Sequence, residues 1–117
     1  VTRLPDWSAR LAAVLHAAEN RPFDDARWNC ARFVLACIEA MTGQRPSWHT
    51  APTLEAMAAS AGFQPILPSF TRPGDAVMAP GPDRLGVAVE AGRAAFIGPR
   101  GLLHAPITTC SVAWRIG

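Results

Sequence analysis

Apolar residues recur at helical spacing through the first sixty positions and in short, interrupted pieces afterwards, so the chain reads as helices followed by strands. Residues 6–19 place Trp7, Leu11, Val14, Leu15 and Ala18 on one face behind Asp6, a suitable N-cap, and Pro22 ends that helix by restricting Arg21. The strongest stripe lies in residues 28–41. There Cys30, Val34, Cys37 and Met41 follow an i, i+4, i+7, i+11 rule, Phe33 and Ile38 widen the face, and Gly43 suits the closing position. Asn29 or Asp25 is available as its cap. A third helix is predicted to start within residues 50–53, with Pro52 in its first turn and Leu54, Met57, Ala58 and Ala61 as its apolar face before Gly62.

Beyond Phe63 the predicted strands are 75–79, 85–90, 94–97, 102–106 and 112–116. Turn signals at Pro80-Gly81-Pro82-Asp83, Ala91-Gly92-Arg93 and Gly98-Pro99-Arg100-Gly101 give the spacing of an antiparallel meander. Leu85, Val87 and Val89 alternate with Gly86, Ala88 and Glu90, as expected of a half-buried strand. The expected fold class is α+β: three N-terminal helices packed on a C-terminal antiparallel five-stranded curved sheet. Residues 1–117 are read as one domain, with a helical half at 1–62 and a β half at 63–117.

Composition narrows the function classes. The 117 residues are half apolar and 17% charged, enough for one small core. The net charge of +2 comes from eleven basic residues, all arginine, and the chain has neither lysine nor tyrosine. That charge is small and dispersed, with only Arg27 and Arg32 flanking the start of the cysteine helix, so no nucleic-acid partner is expected. No apolar run approaches the roughly 18 to 20 residues of a membrane span, and Val1-Thr2-Arg3-Leu4-Pro5 opens no signal peptide, so a soluble, cytoplasm-made protein is expected.

Candidate chemistry centres on Cys30. A helix N-terminus offers unpaired backbone N–H groups and a positive dipole end, both of which favour negative charge on a side chain placed there. Cys30 and Cys37 stand seven residues apart on one helix, about 10 Å of rise, beyond the roughly 7 Å Cα limit for a disulfide. Cys37 and Cys110 read as core fillers. His16 reads as a surface residue, while His49 reads as a loop residue near Trp48 and His104 as a rim residue at a strand end, these two open to a second role if the fold brings them to Cys30. No local ligand spacing supports zinc, and neither a cofactor nor a metal is expected.

The cysteine opening a helix, then Arg72-Pro73-Gly74-Asp75-Ala76-Val77, then Leu85-Gly86-Val87-Ala88-Val89 and Gly92-Arg93-Ala94, resembles the NlpC-type cell-wall peptidases of the papain-like superfamily. The chain is also similar to a family of small proteins encoded in phage and gene-transfer-agent tail modules. That likeness rests on Leu4-Pro5-Asp6-Trp7, Arg21-Pro22-Phe23, Met41-Thr42-Gly43, Gly101-Leu102 and Ala113-Trp114-Arg115. The resemblance implies a papain-like fold with Cys30 at the nucleophile position, a histidine base on the strand after the Pro-Gly-Asp strand, and a polar residue on the next strand orienting that base. The substrate that the resemblance to the NlpC-type peptidases implies is a peptide crosslink or stem of peptidoglycan. Here Arg84 occupies the expected histidine position, Ala94-Ala95-Phe96-Ile97 offers no polar group, and Asn29 stands where Asp is common before the cysteine.

Two functions follow as expectations from that resemblance. In the first, the chain is a structural component of a virion tail tip with an incomplete triad, whose partners are other tail-tip or hub proteins. Trp48, Trp28 and Trp114 are then its first interface candidates, tryptophan being enriched at interface centres. In the second, it is an active cysteine peptidase or amidase degrading peptidoglycan during DNA delivery, with His104 or His49 as the base for Cys30.

Overall fold

The computed structural model describes residues 2–46 and 54–117. His49, Trp48 and the predicted start of the third helix lie outside the described residues. Helices α1 (Trp7–Ala18), α2 (Cys30–Thr42) and α3 (Leu54–Ser60) precede six strands: β1 (Gln64–Ile66), β2 (Ala76–Ala79), β3 (Arg84–Val89), β4 (Arg93–Gly98), β5 (Gly101–Pro106) and β6 (Val112–Arg115). Short 3-10 turns, Pro68–Phe70 and Ile107–Thr109, flank the middle of that run.

The strands form one antiparallel sheet in the order β1-β6-β2-β3-β4-β5. The expected count of five is therefore corrected to six. The added strand, β1, is a three-residue edge with Pro65 at its centre, too short to show alternation, and it exists because Gln64 and Ile66 lie opposite Arg115 and Ala113 of β6. The simple meander is corrected as well: β2 to β5 follow it, but β6 returns across the sheet to lie between β1 and β2.

One face of the sheet carries the main core. Ala76, Met78, Leu85, Val87, Ala95, Ile97 and Trp114 pack with Phe33, Val34, Cys37, Ile38 and Met41, which are the predicted stripe of α2. Burial pushes the Cys37 thiol up to about 12, so it is a neutral filler at neutral pH. The other face holds a smaller cluster of Val77, Ala79, Ala88, Ala94, Phe96, Cys110 and Ala113. β3 is thus buried on both faces rather than half-buried. Gly86 is the reason the second layer closes: a Cβ there would stand 2.5 Å from the Ala95 carbonyl oxygen and 2.6 Å from the Phe96 ring.

Asp75, the last residue of the Pro-Gly-Asp landmark, is fully buried beneath α2's C-terminal end and tied on every side. Its carboxylate accepts from the Ile116 N–H at 3.0 Å and the Arg72 N–H at 3.0 Å, and it pairs with Arg3 at 3.1 Å and Arg115 at 3.6 Å. Arg3, 7% exposed in its side chain, also donates to the carbonyls of Ile116 and Pro73 at 2.7 Å each. Burial lowers the Arg3 guanidinium from its ordinary value, Arg72 adds to that, and Asp75 opposes it. This hub fastens both chain ends to the sheet, and Leu4 N–H donating to Met41 O at 2.8 Å ties them to α2.

Candidate active-site cleft at the start of α2

The first turn of α2 is built by the loop before it. Asp24 and Trp28 exchange backbone hydrogen bonds of 2.9 and 2.8 Å, closing a tight loop that presents Asn29 in extended geometry. Asn29 is the cap: its side-chain oxygen accepts from the Arg32 N–H at 3.0 Å, and its amide donates to Asp25 O at 3.1 Å. Asp6, by contrast, makes no side-chain cap for α1 and pairs with Arg10 at 2.9 Å instead. Trp28 turns inward against Phe33, with ring centroids 6.0 Å apart, and Arg21 lies over its outer side at 4.0 Å.

This places Cys30 as the first helical residue, half-buried, at a cleft of about 460 Å³. The walls come from four places: Phe23 and Asp25 of the loop, Met57 of α3, Asp83 and Arg84 at the start of β3, and Ile97 of β4. Arg84, the residue standing where the resemblance implies a histidine, lines the same cleft as Cys30. The Arg84 guanidinium lies 5.6 Å from the centre of the Phe96 ring, on the side of the sheet away from the helices. The positions of β3 and β4 that face α2 are Leu85, Val87, Ala95 and Ile97, all apolar.

His104 pairs with Ala95 across β4 and β5, so it shares the helix-facing side, but one strand further out. It is exposed and is not among the residues lining the Cys30 cleft. His16 is a surface residue on α1, its ring 3.8 Å from Glu19. Trp28 and Trp114 are 9% and 1% exposed, which corrects their reading as interface residues: both are core, because their rings fill the space under α2. The cleft walls Phe23, Met57 and Ile97 went unforeseen, since each sits at its own element's edge and only packing unites them.

A thiol beside an amide carbonyl can attack it only if a base takes the thiol's proton and returns it to the leaving amine. Among the described residues the polar neighbours in this cleft are Asn29, Asp25, Asp83 and Arg84. Asn29 is committed to capping, and the Arg84 guanidinium is already protonated and cannot take a proton, so among the described residues the acceptors left are the carboxylates of Asp25 and Asp83, with no imidazole beside them. The cleft therefore has a nucleophile position, an apolar rear wall and a rim of mixed charge.

A family model described as a domain of unknown function, DUF6950, matches residues 2–53 and 47–116. No curated protein sequence matches the chain. Among solved structures, the fold is similar to the NlpC/p60 domain of the peptidoglycan hydrolase SagA, with a TM-score of 0.65 and 17% identity over 92% of this chain and 97% of that one. The expected NlpC-type relation thus holds at the level of fold, helices and antiparallel sheet alike. With nearly its full length covered by one family model, this chain belongs to the DUF6950 family, built on an NlpC/p60-like fold.

Proposed function

We propose that this chain is a non-hydrolytic NlpC-like domain that serves as a structural component of a phage or gene-transfer-agent tail tip, seated on another tail protein. The observation that carries the loss of catalysis is the arginine at position 84, together with the apolar face of Leu85, Val87, Ala95 and Ile97 where a base and its orienting group are needed. The tail-tip role is supported by the likeness of the Leu4-Pro5-Asp6-Trp7, Met41-Thr42-Gly43 and Ala113-Trp114-Arg115 motifs to proteins of tail modules. In that role the cleft is a shaped surface inherited from a peptidase fold.

The test is direct. Purified protein is incubated with peptidoglycan sacculi and released peptides are measured, wild type against Cys30→Ala. Equal, background release supports the proposal. Release that depends on Cys30 overturns it in favour of a cysteine peptidase or amidase. Deleting the gene from a producing strain then reports on the tail role: particles that assemble and deliver DNA normally without the protein would remove it.

A further inference from the structure

A second recess flanks α2 beside its buried stripe and adjoins the Cys30 cleft. Two adjoining hollows of about 430 and 210 Å³ share Arg32, Leu35 and Arg45 and form one groove. Leu35, 9% exposed, lies on its floor, Arg21 and Arg27 reach it from the loop before α2, and Arg45 from the segment after Gly43. Among the described residues Glu39 is the one acid lining it.

The arginines here differ from those elsewhere in the fold. Arg3, Arg72 and Arg115 are engaged by Asp75 or by carbonyl oxygens, and Arg10 by Asp6. The guanidinium groups of Arg27, Arg32 and Arg45 are exposed and have neither a hydrogen bond nor an ion pair among the described residues. Among the described residues, four arginines and one glutamate line a groove over an apolar floor, which makes it cationic.

We infer that this groove is a docking site for an acidic peptide segment of a partner protein, with an apolar side chain seated over Leu35 and carboxylates on the flanking guanidinium forks. Guanidinium groups pair with carboxylates bidentately, and the apolar floor supplies an anchor position. A nucleic-acid strand fits less well. Its unbroken phosphate charge would meet Glu39, and the aromatic residue lining the groove among the described residues, Trp28, is buried and offers no face for base stacking. The groove shares Asn29, Ala31 and Met57 with the Cys30 cleft but is not lined by Cys30, and the inference stands whether or not that cleft hydrolyses anything.

The experiment uses a fluorescein-labelled hexapeptide with two glutamates on each side of a central Leu-Trp pair, read by anisotropy on the full chain. Three comparisons accompany it: the same peptide with Gly-Gly at its centre, a labelled oligothymidine, and the protein variants Arg32→Glu with Arg45→Glu and, as control, Arg93→Glu with Arg100→Glu. The expected result is binding that weakens about tenfold or more in the first variant, changes little in the control, and depends on the Leu-Trp centre. Circular dichroism melts, and the milder pair Arg32→Gln with Arg45→Gln, separate lost binding from lost folding. Equal loss in both glutamate variants, or equal binding of the Gly-Gly peptide, would mean diffuse charge attraction and overturn the site. Tighter binding of oligothymidine would overturn the peptide as its occupant, and absence of binding would overturn both.

Discussion

The two ends of α2 use polar residues in opposite ways. At the C-terminal end the helix closes on Gly43 in left-handed geometry, φ 71°, with its N–H donating to Glu39 O, and Thr42 Oγ1 donates to Ile38 O at 2.7 Å. Beside that end lies Asp75, whose carboxylate is fully buried yet met by two backbone N–H groups and two arginines. At the N-terminal end Cys30 opens on a cleft of about 460 Å³, and the guanidinium groups of Arg27 and Arg32 have no hydrogen bond or ion pair among the described residues. Buried polar groups that are all partnered hold a fold together, whereas unpartnered ones at a surface hollow are available to something else. The contrast locates structure at one end of α2 and interaction at the other.

The sharpest way to break the closed end is Asp75→Asn. The amide nitrogen would face donors where the carboxylate now accepts from the Arg72 N–H, and Arg3, 7% exposed, would lose its counter-charge. Removing one partner of a buried pair costs about 3 to 5 kcal/mol. In denaturant unfolding, the variant is expected to lose a large part of its stability. A loss below about 1 kcal/mol would mean that the hub is not what holds the chain ends.

Much of the closed half was readable in the sequence, and the reason is locality. The α2 stripe, the αL cap at Gly43 and strands β2 to β5 are set by residues a few positions apart, so periodicity and turn chemistry reveal them. Asp75 read only as a strand-opening polar residue, because its counter-ions, Arg3 and Arg115, come from opposite ends of the chain. β1 was hidden because its three residues acquire meaning only beside β6. At the open end, Cys30 was legible from its place in the helix, but the cleft was not. Its walls Phe23, Met57, Arg84 and Ile97 belong to separate elements, and the groove arginines 21, 27, 32 and 45 meet only once the loops on either side of α2 fold back.

A smaller effect sharpens the same contrast through pH. Cys37 lies in the middle of α2, fully buried, and its thiol is pushed from 9.0 up to about 12 by desolvation. In the unfolded chain the thiol ionises first, so above pH 9 the unfolded state holds fewer protons than the native state and stability falls as pH rises. The contribution is intact below about pH 9 and is lost progressively toward about 12, at up to about 1.4 kcal/mol per pH unit. Cys110, raised by burial with its Thr109 hydrogen bond opposing, adds in the same direction. The chain has no lysine or tyrosine, so thiols dominate this range. Urea unfolding in reductant should show a loss of about 2 kcal/mol between pH 9 and 10.5, and a shallower slope in Cys37→Ala. An unchanged slope would place the thiol outside the closed core.

At the open end, Asn29→Ala removes the acceptor of the Arg32 N–H and the tether to Asp25 O. A lost N-cap costs about 1 kcal/mol. Asn29→Asp keeps the acceptor and adds charge favourable to the helix N-terminus, so it should retain most of the stability. Thermal melts of the pair distinguish capping from mere occupancy of the position. If both variants fell equally, the tether to Asp25, rather than the cap, would be what sets the first turn.

The least costly change should be at the residue the peptidase resemblance makes central. Cys30 is half-buried and lines the cleft, and no side-chain hydrogen bond to it is found among the described residues. Cys30→Ala removes one sulfur from an open hollow, so stability should move by about 0.5 kcal/mol or less. Incubation with sacculi should release no more peptide from wild type than from the variant. A working nucleophile would show the same small change in stability but a different second result: peptide release by wild type that the variant abolishes. A loss of stability near that of Asp75→Asn would instead move Cys30 into the closed half and erase the distinction between the two ends of α2. Only the combination of unchanged melting and unchanged, background release is what a peptidase cleft emptied of its base predicts.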